Sequence, residues 1–392
     1  MADPRNGGLA PDELAAYLAL AEVPGIGAAR LRTLVTAFQS ALGALRAPHG
    51  AIAALPGFSR AAATAIRSAA PRRGRDILQQ LERLGARVLT PADGEFPPLL
   101  REIPDPPALL YVWGDPALLA RPAAALVGSR DHTPYGAAAA RLLAAGIASR
   151  GAVVVSGMAR GIDAIAHTAA LDAGGATVGV LGNGFGVIYP AANRALYERM
   201  IASGSGCLIT ELPPGERPHA GAFPHRNRLI SGLALATVVV EAAPQSGALI
   251  TVDAALDQGR TVLAVPGPIT SPTSLGCNKL IQQGAKPALA AADILEELGL
   301  AGLEPSPLPP GAAPGVGPPE RKVPPDLSDM QRTLWEALRG EPRHVDALVA
   351  AARADTGAVL TALTDLELKG LVRQEPGMRF SLSAECGMRN VE

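Results

Sequence analysis

The sequence is short of cysteine: only Cys207, Cys277 and Cys386, far apart along the chain. That scatter holds neither a zinc-ligand spacing nor a disulfide framework, and each thiol is expected to be buried or idle. Lysine is nearly missing too. Of 35 basic residues only Lys279, Lys286, Lys322 and Lys369 are lysines. Anion binding therefore falls to arginine, which grips phosphate bidentately where lysine acts as a point charge. A plain bias toward Arg, Ala, Gly and Pro accounts for the same count. Excess charge of one sign is also lacking. A formal net charge of −1 leaves no global basic field for nucleic acid, so any anion site must be local. No apolar run reaches about 18 residues and no signal peptide opens the chain. The expectation is a soluble, cytoplasmic protein without membrane contact.

Common cofactor and catalytic patterns are missing as well. There is no G-x-x-x-x-G-K-[ST], which argues against a P-loop. The nearest dinucleotide fingerprint, Gly182-Asn-Gly-Phe-Gly186, has its third glycine one place early and runs into Val187-Ile-Tyr-Pro190. Ser156 and Ser246 each precede a glycine, but neither lies in a G-x-S-x-G elbow. Asp163 and His167, four apart, could interact on one helix face. Alternatively Asp163 caps its helix and His167 packs on the sheet. No catalytic residue, metal or cofactor is assigned.

What is present is enough apolar content for real cores, 48% over 392 residues, which implies two or three domains. Residues 1–75 form a helical module of helix-hairpin-helix or SAM-like type. Asp12–Leu20 and Ala28–Phe38 flank Val23-Pro-Gly-Ile-Gly27, and a second copy, Leu55-Pro-Gly-Phe-Ser59, precedes Arg60–Ala69. Such turns either approach a phosphate closely or simply join helices in a bundle. Residues 76–300 repeat strand, glycine turn and helix. The short apolar runs Ala123–Val127, Ala152–Val155, Thr177–Leu181, Cys207–Thr210, Thr237–Val240 and Thr261–Val265 read as parallel strands covered on both faces. Helices are expected over Gly136–Ser149, Asp163–Ala173, Asn193–Ala202, Leu229–Leu235 and Leu249–Gln258. The fold class is α/β, a doubly wound, Rossmann-like parallel sheet. Residues 301–325 are a Pro/Gly-rich linker. Residues 326–392 read as a winged helix: Ser328–Leu338, His344–Ala352, a third helix capped by Asp355 or Thr356, and a hairpin turning at Pro376-Gly377. The third helix carries Asp355, Asp365 and Glu367 against Lys369, which favours a protein contact over DNA reading.

In a doubly wound sheet, ligands bind beyond the carboxyl ends of the strands. Gly128-Ser129-Arg130, between a strand and a helix, offers backbone N–H groups and a guanidinium to an anion. Phe223-Pro-His-Arg-Asn-Arg228 adds a ring for base stacking, Arg226 and Arg228 for phosphates, and Asn227 to cap a helix or meet a base edge. Arg160 stands at an adjacent turn. At least one of these arginines is expected to pair with Glu211 or Glu241 and hold the loops.

Several blocks in this order resemble the DprA family of DNA-processing proteins, also called Smf. They are Val127-Gly-Ser-Arg130 with Tyr135-Gly136, Val155–Asp163 with Ala166-His167, Tyr189-Pro190, Phe223–Arg228, Val240-Glu241 with Ser246–Thr251, Val265-Pro-Gly267, and Gly276–Ile281 with Gly284-Ala285. The resemblance implies a non-enzymatic protein that binds single-stranded DNA, forms a homodimer, and loads the RecA recombinase during natural transformation alongside single-strand binding protein. It places DNA contacts at Gly128, Ser129, Arg130, Phe223, Arg226 and Asn227. It places dimer and recombinase surfaces near Asn278, Ile281 and Gln282. Some members carry a lysine before the Phe block; here Pro218-His219-Ala220 stands there, with His219 or Arg217 as the available substitute. The rival reading is a nucleotide-processing enzyme of the lysine-decarboxylase-like phosphoribohydrolase group. Its P-G-G-x-G-T-x-x-E block has no match in Ala243–Thr251.

Overall fold

The computed structural model describes residues 8–302, 327–338, 343–375 and 377–382. The stretch 303–326, which holds most of the expected linker, Pro376 of the expected hairpin turn, and Cys386 lie outside the described residues. The chain forms two compact units, Met1–Pro314 and Gly315–Glu392.

The larger unit is built on one nine-stranded sheet. Its strands are β1 Arg87–Leu89, β2 Leu110–Gly114, β3 Ala123–Gly128, β4 Val153–Ser156, β5 Ala176–Val180, β6 Gly206–Thr210, β7 Ala236–Glu241, β8 Thr261–Ala264 and β9 Lys286–Pro287. The order is β1-β2-β6-β5-β4-β3-β7-β8-β9. Strands β3 to β9 run parallel, and β1 and β2 add an antiparallel edge. From β3 the chain winds outward one way to β6, then returns to pair β7 with β3 and winds the other way. The topological switch point therefore lies between β3 and β7, where a doubly wound sheet opens its ligand crevice.

Side-chain alternation along the strands divides the core. Ala125 and Val127 of β3 pack with Leu229, Ile230 and Val252 on one face. Ala124 and Leu126 pack with Leu143, Ile147 and Ile162 on the other. The second face is continued over β2 and β6 by the N-terminal helices: Tyr111 and Leu208 share a cluster with Leu18, Leu31, Ile66 and Leu81. The helical module expected over residues 1–75 thus has no separate core, because its apolar face is completed by the sheet. Its two hairpins are matched. Gly25 and Gly57 both adopt φ +80°, and Ile26 N–H donates to Val23 O as Phe58 N–H does to Leu55 O. Ser59, which breaks the glycine pattern in the second copy, caps the following helix by accepting from Ala62 N–H at 3.1 Å.

One expected helix is placed differently. The segment read as Leu229–Leu235 is a helix over Ala222–Gly232. Pro224 falls at its third position, in the first turn, where a missing N–H breaks no intrahelical bond. Asn227 therefore lies in the helix body and caps nothing.

The smaller unit has helices Asp329–Ala337, Val345–Ala352 and Thr356–Leu368 and strands Arg343–His344, Val372–Glu375 and Arg379–Leu382, with the last strand central. Leu334, Trp335, Leu348, Val359, Leu363 and Phe380 form its core. Ser328 and Asp355 cap their helices as expected. This is a winged helix; the short strand Arg343–His344 was not anticipated. Among the described residues no single helix is long and apolar enough to cross a membrane.

Candidate nucleic-acid interface

The turn after β3 sits at the switch point. Several of the backbone N–H groups expected to be free are already engaged. Ser129 N–H donates to Glu241 O at 2.8 Å, Asp131 N–H to Ser129 Oγ at 3.1 Å, and Gly136 N–H to Thr133 Oγ1 at 3.1 Å. Thr133 N–H donates to a carboxylate oxygen of Glu241 at 2.9 Å. The other Glu241 oxygen accepts from Thr273 Oγ1 at 2.6 Å. Glu241 is buried. Its carboxylate therefore fills the anion position at the start of the helix Pro134–Ala148, where unpaired N–H groups favour negative charge. What the turn presents outward is the exposed Arg130 side chain.

The turn after β4 packs directly on this one. A Cβ at Gly161 would stand 2.3 Å from Ser129 O and 2.6 Å from Arg130 O, and Gly161 has φ +80°. Only glycine fits there. The close approach sets the exposed Arg160 beside Arg130, and both line a small cavity of about 60 Å³ with Tyr189 and Phe223. The Arg130 guanidinium lies over the Phe223 ring, 5.9 Å from its centroid, a cation–π arrangement. Gly182 backs the ring: a Cβ there would be 2.8 Å from Phe223 Cδ1. A larger cavity of about 590 Å³ opens on the other side, lined by Gly128, Ser129, Arg130, Phe223, Asn227 and the segment from Ser246 to Thr251.

Arg226 forms the floor shared by both cavities. It is buried, donates to Gly157 O at 2.5 Å, and also donates to Val180 O. Burial pulls its pKa down to about 10, opposed by the negative charge of Asp163. It remains a cation at neutral pH. Burial pushes the Asp163 carboxyl up from the ordinary range, opposed by Arg226 and by the Ala159 N–H, which Asp163 accepts at 3.3 Å. Asp163 thus holds the preceding turn and does not cap its own helix, whose N-cap, Gly161, has no side-chain bond. His167 packs into the sheet, with Nδ1 2.6 Å from Thr177 Oγ1. Ser156 donates to Leu126 O at 2.6 Å inside the core, and Ser246 caps Ala248 N–H at 3.3 Å.

Two expected site residues are committed elsewhere. Arg228 pairs with Glu211 at 2.7 Å and Asp105 at 3.1 Å. Arg226 and Arg228 are two positions apart on one helix, so they face different surroundings. The expectation that one arginine would pair with Glu211 or Glu241 is met by Arg228. Asn278 accepts from Gly267 N–H at 3.2 Å and donates to Gly267 O at 3.0 Å, closing the turn after β8 rather than facing outward. Ile281 packs partly against the core, and of the three only Gln282 is exposed. Asn227 Nδ2 reaches Gly247 O at 3.4 Å, tying its helix to the rim of the larger cavity. Sequence reasoning left Tyr189 and Glu241 out of the site, though both stand in the blocks that carry the resemblance.

A family model for DNA recombination-mediator protein A matches residues 87–299. The chain belongs to this family. A second model, the DprA winged helix domain, matches residues 318–378. Protein Smf of Synechocystis sp. is 34% identical, over 95% of this chain and 99% of its own length. Protein Smf of Escherichia coli K12 is 40% identical, over 77% of this chain and 79% of its own. The X-ray structure of DNA processing protein A from Streptococcus pneumoniae aligns with a TM-score of 0.64 at 33% identity, covering 74% of this chain and 98% of that one. The sheet and its switch-point cavity, lying within residues 87–299, are therefore family architecture.

Proposed function

We propose that this protein binds single-stranded DNA across the switch point of its sheet and acts as a recombination mediator, without bond-making chemistry of its own. The observation that carries this reading is the meeting of Arg130, Arg160 and Phe223 there, over the buried cation of Arg226. The exposed guanidiniums suit phosphates, since each neutralised phosphate releases counterions. The half-buried ring suits a base, because every base has a π-face. Such a site tracks a strand with little regard to sequence. Gly128 and Ser129 shape the turn, Asn227 lines the groove, and Arg228 holds the helix in place.

The family resemblance extends the reading. The bound strand is handed to RecA in exchange with single-strand binding protein, in the setting of natural transformation. The working form is a homodimer joined through the region of the helix Leu275–Gln282 and edge strand β9, where Gln282, Lys286 and Leu289 are exposed. The test is fluorescence anisotropy of the full chain with a thymine oligonucleotide and a duplex of equal length, followed by RecA assembly on strands pre-coated with single-strand binding protein. Preference for the single strand, salt sensitivity and faster RecA assembly are expected. Equal or stronger duplex binding would sink the DNA reading, and an unchanged assembly rate would sink the mediator role.

A further inference from the structure

Tyr189 lies outside the residues assigned to DNA above, yet its ring touches them. Its centroid is 5.5 Å from that of Phe223, with the ring planes inclined at 38°. It lines the smaller cavity together with Arg130 and Arg160. For a large ring on a well-packed loop it is unusually open, at 43% exposure.

The loop that carries it is fixed on all sides. Tyr197 donates its hydroxyl to Tyr189 O at 2.9 Å. Asn183 Nδ2 donates to Val187 O at 2.8 Å, and Asn193 Nδ2 donates to Met158 O at 2.9 Å and Ala159 O at 3.1 Å. These bonds lock the loop from Gly182 to Asn193 onto the turn that presents Arg160. A loop held this firmly, with its ring left half in water against Phe223, offers an aromatic face at little cost in backbone entropy on binding.

Spacing decides how a base would sit. A base between two rings needs a centroid separation of about 7–8 Å, twice an ordinary carbon–carbon contact. At 5.5 Å the two rings leave no such slot. They form a continuous, bent platform that runs from the larger cavity across Phe223 to Tyr189. Neighbouring bases of one strand would lie along it, with Arg160 and the Arg130 guanidinium over Phe223 at hand in the same cavity to meet the phosphates.

We propose that Tyr189 is a second base-stacking ring of this site, holding the base next to the one on Phe223. The proposal rests on the single-stranded DNA reading and adds a residue and a direction to it. Three full-length chains test it: wild type, Tyr189→Leu, which keeps apolar bulk without a π-face, and Tyr189→Trp, which keeps a ring. Each is titrated with a thymine oligonucleotide and with an abasic deoxyribose-phosphate oligomer of the same length, over a range of salt. Tyr189→Leu is expected to weaken thymine-oligomer binding about 5- to 150-fold, the range for loss of one stacked base. The salt slope should be unchanged, Tyr189→Trp should bind as wild type does, and the loss should vanish on the abasic oligomer. Equal thymine binding by Tyr189→Leu would overturn the proposal. So would a loss that persists on the abasic oligomer, which would make Tyr189 a packing residue. Failure of the wild type to bind single strands would instead remove the reading beneath it.

Discussion

Arg226 donates to the carbonyl of Gly157 at 2.5 Å, and Gly157 in turn separates that guanidinium from the Asp163 carboxylate. A Cβ on Gly157 would stand 2.8 Å from both. The floor of the site is thus a buried guanidinium and a buried carboxyl held apart by one backbone segment. Removing the guanidinium takes away the charge that opposes the carboxyl's desolvation. Arg226→Met is therefore expected to destabilise the larger unit by about 3–5 kcal/mol. Adding Asp163→Asn should recover part of that loss. Urea denaturation of the single and double variants measures the coupling, and simple additivity would rule the pairing out.

Arg130 and Arg228 should separate cleanly in experiment, although both belong to the sequence blocks that carry the resemblance. Arg130 is exposed and faces the cavities, whereas Arg228 is 12% exposed and paired with Glu211 and Asp105. Arg130→Ala should lower single-strand affinity and reduce the slope of log affinity against log salt by about one, with the melting temperature unchanged. Arg228→Ala should cost about 1–3 kcal/mol of stability through lost charge-assisted hydrogen bonds. It should leave the salt slope as in wild type. The reverse pattern in paired titration and melting curves would exchange the two roles.

Glu241 offers a third test, because its carboxylate sits where the turn would otherwise take a foreign anion. It accepts from Thr133 N–H and Thr273 Oγ1. Glu241→Ala strands the Thr133 N–H, at about 1–3 kcal/mol, while the Thr273 hydroxyl can turn to Ser271 Oγ, 2.9 Å away. Gly136→Ala should act in the same direction, since its Cβ would stand 2.3 Å from the Glu241 carboxylate. Both variants should loosen the Arg130 turn and weaken single-strand binding while Phe223 stays in place. Amide hydrogen exchange over residues 128–136 reads the loosening directly, and unchanged protection in both variants would contradict it.

Glu241 also marks where sequence reading ended. The parallel strands were legible, because short apolar runs between glycine turns have few other structures open to them. The convergence of the turns followed from the winding. Partner choice did not follow. Nothing local says that Arg226 turns toward Gly157 and Val180 while Arg228 turns to Glu211, since each partner comes from another strand or turn. Nor does local pattern show that a glutamate at the end of β7 fills the anion position of the helix after β3. The helix start at Ala222 was not legible either. Pro224 sits in the first turn, where a proline is compatible with a helix but does not announce one. Tyr189 stood in a recognised block, but its contact with Phe223 exists only once two loops have been folded together.

Acid stability provides the last test, through His167. The ring is buried, and burial followed by the nearby Arg226 charge takes its pKa from 6.5 down to about 3. Thr177 Oγ1 donates to Val154 O at 2.7 Å, so it accepts from His167 Nδ1–H, which places the neutral ring's proton on Nδ1. The unfolded chain therefore binds a proton on this histidine below about pH 6.5 that the folded protein refuses until about pH 3. Stability linked to His167 is complete above pH 6.5 and is lost as pH falls through that window. Asp163 works the other way, because its raised pKa lets the folded state take up a proton more readily than the unfolded chain. Comparing wild type with His167→Leu cancels the Asp163 contribution, as both proteins keep it. Between pH 6.5 and about 4.5 the melting temperature of wild type should fall more steeply than that of His167→Leu. The gap should approach a few kcal/mol in unfolding free energy. Parallel curves would mean that the folded protein takes up a proton on this ring as readily as the unfolded chain does.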